Sequence, residues 1–344
     1  MNPVSTRLLS QHLYSPTFNN PNDVVSHLCC IQAQEYRQMR WAVAMRTKNP
    51  SNKRFEESFN SGEIIRLHLL RGTWQLVSAE DYSWLLRLFA DKSRRVIQGW
   101  MSANHISISD KEYDYILGFI IDFVKEKRSV NRDEINNMLI ERGIIIDKQR
   151  LSYHIRMAEL SGILCSGDLH PMKATYSLAA EKIVRRENIT NDEALARLAN
   201  KYFSSRSPAT IEDFVWWTGM NKRECLKAID LIKDNLQCKK YKDRLFYVHD
   251  KARTRGFRKG KSLLLPSYDE YLISYKSRDL VLPEEFRHRG HNNSGLFYPI
   301  IANDGIICGN WKPFVKGLEV YPFHSGDSLC VEGEWKIYES FRMR

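Results

Sequence analysis

The chain has 344 residues, 43% of them hydrophobic, with 16 Tyr, 15 Phe and 8 Trp; this excludes a disordered protein and is long enough for two or more domains. A net charge of +11 points to an anionic partner, nucleic acid ahead of a membrane surface, although many soluble proteins are merely basic. Seven cysteines without a Cys-x-x-Cys pair argue against a disulfide framework and a structural zinc, and neither a signal peptide nor a bilayer-spanning run is visible, so a soluble cytoplasmic protein is expected.

Thr6 to Leu13 carries a short helical pattern, and Asn22-Asp23 can cap a second helix through Val24, Val25 and Leu28. Gln32-Ala33-Gln34 follows. It lies between the apolar group Leu28, Cys29, Cys30, Ile31 and a stretch in which Tyr36, Met39, Trp41 and Met45 alternate with Arg37, Arg40 and Arg46. Two amides two residues apart share a face only on extended backbone. Glutamine is uncharged and both donor and acceptor, so such a pair can orient a water or read a base edge. On three residues alone, solvated glutamines at a helix start are the commoner case.

Phe55 to Phe59 is a short helix ending near Ser61-Gly62, and residues 64–77 alternate as two strands turning at Arg71-Gly72. Ser78 to Asp81 cap a helix carrying Tyr82, Trp84, Leu85 and Phe89. Between 105 and 180, Ser109 caps one helix, Ser129 to Glu134 open a second that Gly143 ends, and Asp147 starts a third that Gly162 stops. Strands at 163–167 and 174–178 follow. Residues 192–250 repeat the order: helices at 192–203, 211–217 and 222–232, then strands at 236–241 and 244–248. Three helices and a two-stranded wing make a winged helix, and residues 1–104 read as a decorated third copy. Lys251 to Lys261 is a basic run without an acid, either a solvated linker or a strip that tracks phosphates. Beyond it, 263–273, 295–301, 306–311 and 318–323 read as strands, with Asn303-Asp304-Gly305 as a hairpin turn.

The expected fold is therefore α+β. Winged-helix units occupy 1–104, 105–185 and 186–250, and a basic linker with a barrel-like β domain occupies 251–344. Gly256 to Ser262 resembles a P-loop but is one residue short between its glycines and precedes a strand instead of a helix. His105, His154, His249 and His324 are scattered and read as structural. Asp269 and Glu270 are neighbours on an expected strand, so at most one should face inward.

Five blocks occur in order: Ile31 to Gln34; Leu70 to Asp81; Gly162 to Gly167 with Thr175 to Leu178; Ser207 to Phe214 with Trp217 to Gly219; and Leu265 to Leu272. Together they resemble the winged-helix DNA glycosylases of the AlkZ type, which unhook interstrand crosslinks and remove bulky N7-alkylated guanines. The resemblance spans nearly the whole chain. It implies three tandem winged helices on a C-terminal β-barrel, a double-stranded DNA substrate, and a Gln-x-Gln catalytic motif at Gln32 and Gln34. A related branch has an acid at the second position, and many relatives carry His where this chain has Gln75.

The implied chemistry is coherent. An N7-alkylated purine is already cationic and leaves without a general acid, so the protein must hold a water at the anomeric carbon. Many glycosylases flip the base out; a crosslinked base leaves the stack with difficulty, so a site working on the duplex is implied. DNA contacts are expected from Arg37, Arg40, Arg71, Thr73 and Gln75, from Lys240 and Lys242 in the last wing, and from Arg255 and Arg258 in the basic run. Arg37, Arg40, Arg71 and part of the run are expected to line a concave surface. A monomer without cofactor or metal is expected, nucleoid-associated when bound to DNA. The alternatives are a non-catalytic winged-helix transcriptional regulator, which explains charge and repeats without either glutamine, and a protein-interaction scaffold.

Overall fold

In the computed structural model, residues 2–183, 187–314, 317–326 and 329–343 are described. Two units emerge: residues 1–55 with 190–344 form the first, and residues 56–189 the second. The expected boundary at 185/186 and the two chain ends lie outside the described residues.

The chain starts in the first unit. The Asn2 side chain accepts from the Val4 and Ser5 amides and caps α1 (Pro3–Ser10). Proline opens α2 (Pro21–Leu28), where its missing N–H costs nothing. The strand β1 (Ile31–Gln32), α3 (Met39–Ala44) and α4 (Asn52–Asn60) follow.

In the second unit β2 (Ile64–His68) and β3 (Trp74–Ser78) pair antiparallel, with Leu67 opposite Gln75 and His68 opposite Trp74. Ser78 caps α5 (Ala79–Ala103), as its spacing to Asp81 implies. Then come α6 (Asp110–Lys127), β4 (Val130–Asn131), α7 (Arg132–Glu141), α8 (Lys148–Leu160), β5 (Leu164–Ser166), β6 (Thr175–Leu178) and α9 (Ala179–Lys182). The strands form a sheet in the order β4-β6-β5. Ile116, Ile120 and Val124 recur every four residues along α6, and this stripe packs on Ile135, Leu139, Leu151 and Ile155.

The chain returns to the first unit with α10 (Asn191–Arg206), α11 (Ile211–Thr218), α12 (Lys222–Asp230) and the hairpin β7 (Leu236–Tyr241) and β8 (Arg244–His249). Capping boxes begin all three helices. Gly219 ends α11 at φ 68, where a side chain would be strained. The remainder is β9 (Ser262–Leu265), α13 (Glu270–Ile273), α14 (Arg287–Gly290), β10 (Ile300–Asn303), β11 (Ile306–Phe314), β12 (Gly317–Pro322) and α15 (Glu332–Met343). Asp304 at φ 49 and Gly305 at φ 89 make the β10–β11 turn, both with the positive φ that a tight hairpin demands.

Four expectations change here. The last four strands form an open sheet, β12-β11-β10-β9, and not a barrel. α15 packs Tyr338 and Phe341 onto the core of this region, with Trp41 of α3 against both rings at centroid distances of 5.1 and 5.2 Å. The expected strand 263–273 stops at Leu265, because Pro266 has no N–H for the ladder and Asp269 accepts from the Tyr271 amide at 2.8 Å to cap α13. Off a strand, neighbouring side chains need not oppose each other, and Asp269 and Glu270 are both buried, at 2% and 1% exposure. The strand expected at 295–301 shrinks to β10.

Candidate active site

β1 ends at Gln32, whose residue exposure is 4%; Ala33 is buried and Gln34 is exposed at a bend. The extended backbone stops one residue short of what a shared face requires, so the two amides have different surroundings.

What holds Gln32 comes from far along the chain. Its backbone N–H donates to Glu270 Oε1 at 2.7 Å. Glu270 Oε2 accepts from Arg206 Nη2 at 2.8 Å, from Trp217 Nε1 at 3.1 Å and from the Ser274 hydroxyl. Arg206 also donates to the carbonyls of Leu28, at 2.8 Å, and Cys30, at 2.9 Å, just ahead of the motif. Burial pushes the Glu270 carboxyl up; Arg206, Ser274 and the Gln32 amide outweigh burial and hold it below the ordinary carboxylate range. The ion pair is 0% and 1% exposed at its side chains. Residues 28–32 are thus pegged by a buried, fully engaged charge pair.

Two further pairs continue the network. Arg46 meets Asp269 in a bidentate contact at 2.8 and 2.9 Å and donates to the Gln11 carbonyl at 3.1 Å. Arg7 lies 3.6 Å from Asp213 and 3.5 Å from the centre of the Tyr275 ring. Buried ion pairs add little net stability over apolar packing, but breaking one is costly, so they specify geometry. After the motif, Gln38 Oε1 accepts from the Ser267 amide at 2.6 Å, and Trp41 Nε1 donates to the Leu264 carbonyl at 2.7 Å.

The other candidates fall on both units. On the first, Arg37 is exposed and Arg40 half-buried, its guanidinium 5.6 Å from the Tyr36 ring. Lys240 and Lys242 are exposed at the tip of the β7–β8 hairpin, while the adjacent Arg244 is committed to Asp279 at 3.0 and 2.7 Å. Arg255 and Arg258 are exposed. Their run is strapped to the N-terminal segment: Arg253 donates to Ser15 O at 3.0 Å and Lys261 Nζ to Tyr14 O at 3.0 Å. On the second unit, Arg71 sits at the β2–β3 tip with φ 57, and Gln75 is 1% exposed, its amide donating to Thr73 Oγ1 at 2.9 Å.

A further buried pair sits in the second unit. His68 Nδ1 lies 2.7 Å from Glu159 Oε2, and the Trp74 ring covers His68 at a centroid distance of 3.6 Å. Burial lifts the Glu159 carboxyl to about 8 and holds His68 well below its ordinary value, so one proton is shared within a neutral pair near neutral pH. The sequence signal for these pairs, an isolated charge within an apolar run, is faint. Among the described residues no three His, Cys, Asp or Glu side chains gather as a metal-binding set, and no helix is long and apolar enough to cross a membrane.

Comparison with known proteins places this chain in the class of DNA glycosylases. A protein of Streptomyces sahachiroi, described as an interstrand DNA cross-link repair glycosylase, is 24% identical over 347 residues, covering 95% of this chain and 91% of that protein. The solved structure of the Streptomyces sahachiroi DNA glycosylase AlkZ shares the mixed α/β fold, with a TM-score of 0.75 and 23% identity over 99% of this chain and 94% of that one. The family model for AlkZ-like DNA glycosylases matches residues 25–325, and the chain belongs to that family.

Proposed function

We propose that this DNA glycosylase removes N7-alkylated purines, bulky or crosslinked, from duplex DNA by hydrolysing the N-glycosidic bond, with Gln32 and Gln34 orienting the water. The relative from Streptomyces sahachiroi, a cross-link repair enzyme by description, supports the lesion class. The observation that carries the assignment is the hydrogen bond from the Gln32 amide to buried Glu270: a water-positioning motif must be held to fractions of an ångström, and a backbone pinned to a fixed charge supplies that rigidity. The leaving base is already cationic, so neutral amides suffice: they aim a water at the anomeric carbon and accept the developing oxocarbenium character without competing for a proton. Exposed Gln34 is the group that reaches the water, and Gln32 backs it.

The helix–helix–helix–hairpin stretches at 110–178 and 191–249 are read as winged helices and residues 1–104 as a third, with units at 1–104, 105–185, 186–250 and 251–344. Exposed Arg37, Lys240, Lys242, Arg255 and Arg258 serve the DNA backbone, and Arg40, Arg71, Thr73 and Gln75 complete the DNA-binding set. The protein works as a cytoplasmic monomer on nucleoid DNA, without cofactor or metal.

The test is single-turnover excision at saturating enzyme on a duplex carrying an N7-alkylated guanine. Gln34→Ala should lose most excision while duplex affinity is nearly retained, the pattern of a group that acts in the transition state. Wild-type rates in both Gln32→Ala and Gln34→Ala refute the assignment. An inactive wild-type protein on every alkylated duplex returns the reading to a DNA-binding regulator.

A further inference from the structure

The first unit contains a small polar cavity of about 210 Å3, below the roughly 300–1,000 Å3 of pockets that enclose whole drug-sized ligands. Its lining includes the cations Lys276, Arg278 and Arg287, the carboxylates Asp279 and Glu284, His291 and the apolar Leu282. The balance of charge is set from outside the wall. Asp279 is already matched by Arg244, which reaches it in a bidentate contact at 3.0 and 2.7 Å, so four cations face two acids. Burial raises the Asp279 carboxyl, but Ser277 and Arg244 outweigh it, and the group stays charged and paired. The other acid, Glu284, is held more loosely, 3.6 Å from Arg287 with both side chains largely exposed. Burial and the nearby Arg278 lower the His291 imidazole, which is therefore neutral at neutral pH and offers a hydrogen bond in place of a charge.

The position of this cavity matters as much as its lining. Arg244 is the first residue of β8 and pairs with Tyr241 across the turn, so its contact with Asp279 ties the cavity to the tip of the hairpin, where Lys240 and Lys242 are exposed. The segment is rigid: the Lys276 amide donates to Asp213 Oδ1 at 2.9 Å, and Arg278 Nε donates to the Leu272 carbonyl at 3.1 Å.

We infer that this cavity is a binding site for one phosphate of the DNA backbone, seated by Lys276 and Arg287 beside the β7–β8 hairpin. The inference rests on the duplex-DNA part of the proposed function and is independent of the chemistry at Gln32 and Gln34. The lining is more polar than apolar, and two of its cations, Lys276 and Arg287, are exposed and can meet an incoming anion. An incoming phosphate displaces Glu284 from Arg287, the weakest contact in the wall.

The test uses the full chain and an undamaged duplex, so it does not depend on excision. Affinity is followed by fluorescence anisotropy across a salt series for wild type and for Lys276→Gln/Arg287→Gln. Both residues are exposed, so folding is not at stake. Loss of one phosphate contact should reduce the slope of log K against log salt by about 0.9 and weaken binding about 8-fold at about 0.1 M salt. Glu284→Gln, which frees Arg287, should tighten binding. A wild-type slope in the double variant overturns the inference. So does a variant that loses the thermal stabilisation given to wild type by inorganic phosphate yet keeps the wild-type DNA slope, since the cavity then takes a free anion only. A wild-type protein that excises nothing while the slope still falls would sink the proposed chemistry and leave this site standing.

Discussion

Asp269 and Glu270 provide an internal comparison that separates positioning from mere stability. Both carboxylates are buried, each is paired to a buried arginine at 2.8 Å, and they are adjacent in the chain. Only Glu270 touches the motif, through the Gln32 amide. Asp269→Asn and Glu270→Gln each leave a guanidinium buried without its counter-charge, which costs about 3–5 kcal/mol. For a unit of this size that lowers the melting temperature by about 6–20 °C. The two variants should therefore be destabilised alike. They should differ in turnover: Glu270→Gln replaces a charge-assisted bond to Gln32 by a neutral one, a loss of about 1 kcal/mol of anchoring, and slack approaching 1 Å costs about 100-fold in rate. Single-turnover excision, measured well below both melting temperatures, should fall about 10–100-fold in Glu270→Gln and less than about 3-fold in Asp269→Asn. Because the folded Glu270 carboxyl lies below its ordinary value, its stabilising contribution is complete above the ordinary carboxylate range and is lost as pH falls through the depressed value. Equal losses of turnover in the two variants, or wild-type turnover in Glu270→Gln, would show that the peg on Gln32 has no catalytic consequence.

Two other outcomes follow from the described geometry. Glu159 is lifted to about 8 by burial, so between the ordinary carboxylate range and that value the folded chain holds a proton the unfolded chain has lost, and stability should fall as pH rises; Glu159→Gln should flatten the slope in melts at a series of pH values, and an unchanged slope would assign it elsewhere. Gly305→Ala should destabilise by more than about 1 kcal/mol in denaturant titration, because it sits at φ 89 and its new Cβ would come 2.5 Å from Val4 Cγ1 and 2.8 Å from the Tyr271 hydroxyl; a midpoint equal to wild type refutes that packing.

Local signals in the sequence were strong where one residue type has one physical use. Ser78, Ser109 and Asp147 cap the helices their spacing implies, and Asn303-Asp304-Gly305 makes its turn. Where tertiary pairing decides, pattern fails. Leu263 to Ile273 reads as a strand because its apolar residues suit one, yet Pro266 and the capping Asp269 divide it into strand and helix. Strand count says nothing of closure, so the open C-terminal sheet reads from sequence as a barrel, and α15 has no counterpart among the expected elements. The position of Gln32 and Gln34 was legible as a motif, but the acid that pins it lies 238 residues away and has no local signature.

That separation has a consequence for how the protein comes into being. The second unit, residues 56–189, is synthesised whole between the two parts of the first, so it can fold while the first is still incomplete. Ribosomes add about 5–20 residues per second, so Gln32 waits on the order of 10–50 s for Glu270 to emerge. Until then Arg7 and Arg46 also lack the carboxylates of Asp213 and Asp269, and the N-terminal segment has no low-energy way to bury them. A nascent or prematurely terminated chain therefore carries Gln32 and Gln34 without the buried carboxylate that holds the Gln32 amide.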